Sequence, residues 1–346
     1  MAKKRVAVAM SGGVDSSVAA ALLKQAGYEV NGIHMRLGAD IMSDNLAALE
    51  RTCRLLDIPL SQLDLEREFK ELVIDYFCRE YGRGRTPNPC VVCNQYLKFG
   101  IVLERVLEGG ADYLATGHYA RVEATPDGYR LKKAVDITKD QSYFLYTLGQ
   151  ERLRRLVMPL GGLTKERVRA IAAELGLPTS RHHDSQDICF IPNNDYRAFV
   201  AERVPLKAGE IVDINGEILG KHSGLAGYTV GQRQGLGLVS DKPLYVLKID
   251  AESSRIVVGG REQTLHNALT AHNLSWVSGK SPREPMEVTA KIRYKAPEVA
   301  AELYPRDDSV EIRFKEPQSA VAPGQSIVFY RGDEVLGGGI IDAVLY

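Results

Sequence analysis

The stretch Val6-Ala-Val-Ala-Met-Ser-Gly-Gly-Val-Asp-Ser-Ser17 constrains the chain more than any other. Val6 to Met10 is a continuous apolar run, the pattern of a parallel strand buried on both faces. It stops at Ser11-Gly12-Gly13. A helical pattern opens near Asp15 and runs through Val18 to Leu23, with Gly27 where a C-terminal cap belongs. A strand feeding a helix through a glycine turn collects an anion. The glycines let the backbone come close, the first helical N–H groups face the ligand, and the helix dipole favours negative charge. The hydroxyls of Ser11, Ser16 and Ser17 would add donors, and Asp15 could help hold a Mg²⁺ ion. Neither G-x-x-x-x-G-K-[ST] nor G-x-G-x-x-G occurs in the chain, so this is not one of the two common nucleotide loops.

Strand and helix patterns alternate over the region that follows. Val30 to Met35 reads as a second strand. Ser43 is placed to cap a helix from Asn45 to Leu56, on whose apolar stripe Cys53 falls as a small buried hydrophobe. Ile58 to Leu65 is a strand candidate, and Glu66 to Tyr81 is helical, with Cys78 a further structural thiol. The run Tyr81-Gly-Arg-Gly-Arg-Thr-Pro-Asn-Pro89 breaks all regular structure and delivers Cys90-Val-Val-Cys93, after which a helix runs through Phe99, Val102 and Val106. Asp112 to Thr116 reads as a strand ending at Gly117-His118, and Ala120 to Val135 as a hairpin around Pro126-Asp-Gly128. Such alternation implies a doubly wound parallel α/β sheet, whose ligands sit at the carboxyl ends of its strands. There Ser11 to Ser17, Met35 and Gly117 would gather.

Residues 138–200 read as mostly helical, over Gln141–Leu148, Lys165–Leu175 and Tyr196–Arg203, with a polar loop from Arg181 to Cys189. Beyond about residue 205 glycine becomes frequent and the helical period is lost. The pattern predicts a catalytic first domain over 1–204, a small β-rich domain over 205–265 and a C-terminal all-β barrel over 266–346.

Composition narrows the partners. Lys plus Arg and Asp plus Glu number 44 each, so overall charge gives no argument for a nucleic acid. The segment 121–169 is a local exception, with eleven Lys or Arg against six Asp or Glu. That excess fits a contact patch or a solvated face. The odd count of five cysteines, without a leader pattern or an apolar run of membrane-spanning length, points to a reducing, cytoplasmic setting and to no membrane partner. The Met1-Ala-Lys-Lys-Arg start reads as too short for a targeting segment. Nothing predicts an oligomer, and a monomer is the default expectation.

Cys90-x-x-Cys93 in one loop and Cys189 in another admit three readings. They are unpaired structural thiols, or zinc ligands completed by His118, His182 or His183, or a sulfur-transfer pair. For the last, Cys93 at a helix start would have its thiol pKa lowered by the dipole.

The glycine loop resembles the PP-loop of ATP pyrophosphatases, and the whole chain resembles the bacterial MnmA family of tRNA-specific 2-thiouridylases. The matching motifs occur in order: Ser11-Gly-Gly-Val-Asp-Ser16, Gly84-Arg-Thr-Pro-Asn-Pro89 with Cys93-Asn94, Ala115-Thr-Gly-His-Tyr-Ala-Arg121, Lys139-Asp-Gln-Ser-Tyr-Phe144, Asp184-Ser-Gln-Asp-Ile-Cys-Phe190, Thr229-Val-Gly-Gln-Arg-Gln-Gly-Leu-Gly237, Arg293-Tyr294, Pro323-Gly-Gln325 and Gly337-Gly-Gly-Ile340. The resemblance implies ATP, with Mg²⁺, along Ala9, Met10, Ser11, Gly12, Gly13, Val14, Asp15 and Ser16, with Met35 and Gly117 at the adenosine. It implies a flipped wobble uridine of tRNA adenylated on its C2 oxygen, a persulfide on Cys189 loaded by a sulfur-relay donor protein, and Cys93 as the thiol that releases the sulfur. It implies tRNA contacts at Asn88, Pro89, Cys90, His118, Lys139, Asp140, Gln141, Arg293, Tyr294 and Gln325. Many members of the family carry Asp where this chain has Cys90. With Cys90, Cys93 and Cys189 as three ligands, an iron–sulfur cluster is the alternative sulfur carrier. A rival outside the family is a PP-loop synthetase acting on a small metabolite, which would need neither Cys93 nor Cys189. A tRNA-binding protein without catalysis is another, and it leaves the glycine loop idle.

Overall fold

The computed structural model describes residues 3–38, 46–178 and 188–345. The expected helix cap Ser43, the start at Asn45 and the loop residues 181–187, with His182 and His183, lie outside the described residues.

The first layer is a parallel sheet of β1 (Arg5–Ala9), β2 (Glu29–Arg36), β3 (Leu60–Asp64), β4 (Tyr113–Ala115) and, after a hairpin of β5 (Ala120–Thr125) and β6 (Gly128–Lys133), β7 (Leu156–Val157). The strand order is β3-β2-β1-β4-β7. Side-chain alternation along β1 divides two cores. Val6, Val8 and Met10 pack with Val18 of the helix Val14–Gln25, with Leu49 and Cys53 of the helix Leu46–Leu56, and with Val168 and Ile171 of the helix Lys165–Glu174. Ala7 and Ala9 face the other way, onto Phe69, Phe77, Leu97, Val102 and Leu103 of the helices at 66–82 and 89–108. Helices on both faces bury the central strand β1 on both sides, which is why it reads as a continuous apolar run, whereas the edge strand β3 carries exposed Ser61, Gln62 and Asp64.

The expected helix over Gln141–Leu148 is absent; only Ser142–Leu145 turns, as a short 3₁₀ segment. Ser142, Tyr143, Leu145, Tyr146 and Leu148 are all buried, and only Gln141 and Phe144 are half-buried, so the burial pattern fits no single helical stripe. The strand β7 was too short at two residues to be read from sequence.

The middle sheet orders β8 (Gly209–Val212), β9 (Ile218–His222), β10 (Tyr245–Asp250) and β11 (Arg255–Gly259) as β10-β11-β8-β9 over a small core of Ile211, Leu225, Leu236, Val246, Ile256 and Val258. The last six strands, β12 (Leu265–Trp276), β13 (Met286–Lys291), β14 (Val299–Pro305), β15 (Ser309–Ser319), β16 (Ser326–Arg331) and β17 (Glu334–Leu345), close into a barrel through the β12–β17 pairing. Leu269, Leu303, Ile312, Ile327, Phe329 and Ile341 fill it.

The hairpin of the first domain does not stay with its own sheet. Leu131 and Lys132 of β6 pair with Val335 and Glu334 of β17, so β6 and β5 extend the barrel sheet. The basic excess of 121–169 is largely consumed here. Arg121 pairs with Asp333, Arg130 with Glu334, Lys132 with Glu123 and Asp333, and Lys133 with Glu298. Four of the eleven basic residues therefore serve ion pairs across or beside this seam.

Candidate active site

Beyond β1 the backbone turns at Gly12, whose φ of +79° suits glycine. Gly13 caps the helix Val14–Gln25 without any side-chain hydrogen bond, so no side chain occupies the N–H groups of the first turn, which an anion could take. The serines behave differently from expectation. Ser16 Oγ accepts from Ser11 N at 3.2 Å and lies 3.3 Å from the Gly13 carbonyl, and Ser17 Oγ donates to that carbonyl at 2.9 Å. Ser16 and Ser17 are buried and brace the loop, which leaves the exposed Ser11 to meet a ligand.

Gly117 closes over this loop from the end of β4. A Cβ there would lie 2.8 Å from Ser16 N and 2.9 Å from the Asp15 carbonyl carbon, so only glycine allows the approach. Met35 ends β2 on the other side of β1, half-buried. The expected ATP residues thus stand at the carboxyl ends of three adjacent strands, β2, β1 and β4.

Asp15 is already engaged. Lys165 Nζ lies 2.8 Å from each of its carboxylate oxygens, and the Tyr119 hydroxyl donates to Oδ1 at 2.8 Å. A Mg²⁺ ion takes one or two carboxylates together with substrate phosphates. Here a buried ammonium holds the position the ion would need, so Asp15 does not fit that role in this arrangement. Lys165 instead brings positive charge to the loop. Sequence reading had placed it only as a helix start, because nothing local ties it to a residue 150 positions earlier.

The second half of the site is the helix at 89–108, which starts in α-helical form, runs as a π-helix over Cys93–Val102 and ends as α-helix. Asn88 caps it, accepting from Val91 N at 3.3 Å, and Pro89 takes the first helical position. The helix therefore opens four residues before Cys93, and the expected lowering of its thiol pKa by the helix start does not hold. Burial raises all three thiols: Cys90 to about 12, and Cys93 and Cys189 above the ordinary value. Cys90 and Cys189 still reach solvent. Cys90 feels the charge of Cys93 and Cys189, and Cys93 that of Cys189, so the three sulfurs share one neighbourhood. Phe190 anchors Cys189 by packing on Phe69, Phe77 and Phe199 with ring centres 5.3 to 5.7 Å apart. Among the described residues no three His, Cys, Asp or Glu side chains come together to hold a metal ion, so this arrangement does not fit a cluster on the three thiols.

Lys98 opposes the effect of burial. Its ammonium favours the anion at Cys90, Cys93 and Cys189. It is half-buried and makes no hydrogen bond or ion pair among the described residues. It follows Cys93 by five residues, one turn of a π-helix, a relation invisible without the π geometry. Sequence reading missed it.

His118 joins the two halves. It follows Gly117, which touches the glycine loop, and its ring packs 5.7 Å from Phe99 of the thiol helix. Its Nδ1 lies 2.8 Å from Thr116 Oγ1. Burial, with Lys98 nearby, pushes its pKa down to about 3, so it is a neutral imidazole.

The residues expected to meet tRNA divide. Arg293 is exposed, and Tyr294 packs on Phe144 at 4.4 Å across the junction of barrel and first domain. Asn94 on the thiol helix donates to the Phe144 carbonyl at 3.2 Å, so this junction adjoins the thiols. Lys139 is half-buried beside it in sequence. Asp140 faces inward: its carboxylate accepts from Ala134 N, Ser142 N and Ser142 Oγ. Gln141 spends its side-chain oxygen on Tyr119 N at 3.0 Å. Asn88 is a cap, Pro89 is buried, and Gln325 donates to the carbonyls of Thr86 and Pro87.

Comparison with known proteins places this geometry. The family described as "tRNA methyl transferase HUP domain" matches residues 4–193, "tRNA methyl transferase PRC-barrel domain" matches 197–260, and "Aminomethyltransferase beta-barrel domain" matches 266–341. A protein of Caldanaerobacter subterraneus subsp. tengcongensis named tRNA-specific 2-thiouridylase MnmA 1 is 48% identical, over 98% of either chain. One of Acetivibrio thermocellus, named tRNA-specific 2-thiouridylase MnmA, is 48% identical over 99% of this chain and 100% of its own. Among solved structures, a 4-thiouridine synthetase–RNA complex with bound ATP aligns over 58% of this chain and 50% of that chain, at 17% identity and a TM-score of 0.39, too loose a likeness to argue from.

Proposed function

The chain belongs to the MnmA family of tRNA-specific 2-thiouridylases and is a tRNA sulfurtransferase, and we propose that it works by adenylating the wobble uridine with ATP and replacing its C2 oxygen with persulfide sulfur from Cys189. ATP lies against the open N-terminus of the helix Val14–Gln25, its phosphates on the backbone of Ser11 to Ser16 and on Lys165, its adenosine toward Met35 and Gly117. The uridine leaves the anticodon stack, because its O2 is not reachable within it. That oxygen attacks the α-phosphorus, pyrophosphate leaves, and the C2 carbon becomes electrophilic. The terminal sulfur of a Cys189 persulfide attacks C2, and AMP departs with the old oxygen. The Cys93 thiolate then attacks Cys189 Sγ, forming a Cys93–Cys189 disulfide and releasing 2-thiouridine. An external thiol reductant restores the pair, and a persulfide-bearing donor protein reloads Cys189. Neutral His118 and cationic Lys98 stand where the two steps meet. The tRNA is held along the junction that carries Arg293, Tyr294 and Lys139, and the division into 1–204, 205–265 and 266–346 gives chemistry to the first unit and grip to the last.

The observation that carries this reading is the joint at Gly117-His118, which sets an anion-collecting loop beside three neighbouring thiols. Its test is a thiolation assay with unmodified tRNA, ATP and a persulfide donor. Cys189→Ala and Cys93→Ala should each lose thiolation while still releasing pyrophosphate in the presence of tRNA. Full turnover by Cys189→Ala would favour a small-molecule synthetase instead.

A further inference from the structure

Gln325 ends the turn between β15 and β16, and its amide nitrogen donates to Thr86 O at 3.1 Å and to Pro87 O at 3.2 Å. An amide nitrogen has two hydrogens, so both are spent and only the acceptor oxygen is left for RNA. The same turn meets the loop twice more. Thr86 N donates to Pro323 O at 2.8 Å, and Gly324, with φ of +93°, lies so close that a Cβ would come within 3.0 Å of Thr86 N. Among the described residues, the hydrogen bonds of the Thr86 backbone and of the Pro87 carbonyl all run to the barrel, and Pro87 has no N–H to offer elsewhere. Arg85 adds a bond to Ile341 O at 3.3 Å and an ion pair with Asp342. On the far side of the turn, the Tyr143 hydroxyl donates to Ser326 O at 2.8 Å. The turn itself is fixed to β17 through Gly324 N to Ile341 O and Ile341 N to Gln325 O. The next residue after Pro87 is Asn88, the cap of the helix that carries Cys90 and Cys93.

We propose that Gln325 is a positioning residue for sulfur transfer: the barrel turn 323–325 fixes, through Thr86 and Pro87, where Asn88 starts the helix and therefore where Cys90 and Cys93 stand. This rests on the assignment of Cys93 to sulfur release. Arg83, Gly84 and Arg85 bond back to the last turn of the helix Asp75–Gly82. From Thr86 to Pro87 the loop leans instead on the C-terminal barrel. The domain that grips RNA thus also holds the thiols in register.

The test uses the full chain with Gln325→Glu, which sets a carboxylate against two carbonyls, and the milder Gln325→Ala. Alkylation of Cys93 by iodoacetamide without tRNA or ATP, resolved by peptide mass spectrometry, should change by about threefold or more in Gln325→Glu. The kcat of thiolation should fall by roughly 10²-fold, the cost of about 1 Å of misplacement, while KM for tRNA stays within about twofold. Gln325→Ala should move both readouts in the same direction by less. Buried Cys53 and Cys78 report on folding, and if Gln325→Glu exposes them, Gln325→Ala decides by the same measurements. Wild-type alkylation in both variants, with tRNA binding alone weakened, makes Gln325 an RNA contact and overturns the proposal. A Cys93→Ala protein that thiolates at full rate overturns the role in sulfur transfer even where alkylation responds, so the two failures are read on different variants.

Discussion

Lys98 shows how much one side chain can settle at this site. Burial raises all three thiols, and the proposed sulfur transfer needs a persulfide or thiolate. The Lys98 ammonium on the same helix, without an ion pair among the described residues, is the available counterweight. Lys98→Met should therefore raise the alkylation midpoints of Cys93 and Cys189 by about one pH unit, roughly tenfold in rate below the midpoint, and Lys98→Arg should restore most of it. The sign for the wild type follows. Since the thiols titrate above their ordinary value, single-turnover thiolation should keep rising with pH past about 8.5. His118, held neutral, should contribute no step between about pH 5 and 8, where an ordinary histidine would titrate. The cysteines were legible in the sequence because Cys90-x-x-Cys93 sits among Pro and Asn, where packing gives thiols little purpose. Lys98 was not, because one lysine in an amphipathic stretch looks like any other solvated face.

At the scale of elements, the glycine turn and its cover act as one unit. Gly117→Ala should push the turn away through the contact with Ser16 N, raising KM for ATP by at least about tenfold while pyrophosphate chemistry at saturating ATP falls less. Steady-state pyrophosphate release against ATP concentration checks it. Asn88→Ala should cost about 1 kcal/mol of stability through the lost cap, measured by urea unfolding. The strand–turn–helix was readable since its signals are local: an apolar run, then glycines, then a helical period. The start of the thiol helix was misplaced at Cys93 because Pro89, read as a breaker, is the favoured first residue of a helix once Asn88 caps it. The segment Gln141–Leu148 was over-read as helix because nearly all of its residues are buried, and periodicity presupposes one side in water.

For the whole molecule, the seam between first domain and barrel sets how the glycine loop and the thiols stand against the barrel. Its ion pairs are partly exposed, so Asp333→Asn should cost less than about 1 kcal/mol. Leu131, fully buried where β6 meets Val335 of β17, is different: Leu131→Ala should cost about 2–5 kcal/mol. Urea unfolding of both variants, followed by fluorescence of Trp276 in the barrel, separates the two contributions. A larger loss for Asp333→Asn than for Leu131→Ala would mean that charge and not packing joins the domains.

The doubly wound α/β unit, the glycine loop, the change to β structure near residue 205 and the three neighbouring cysteines were all fixed by signals spanning a few residues each, since strand period, turn chemistry and helix caps are local properties of a chain. Which charges meet across long separations was not. Lys165 on Asp15, the basic hairpin on the barrel, the barrel turn on Thr86 and Lys98 among the thiols all depend on how packed elements face one another. No local period encodes that, because burial and ion pairing are settled only when distant surfaces close and water leaves.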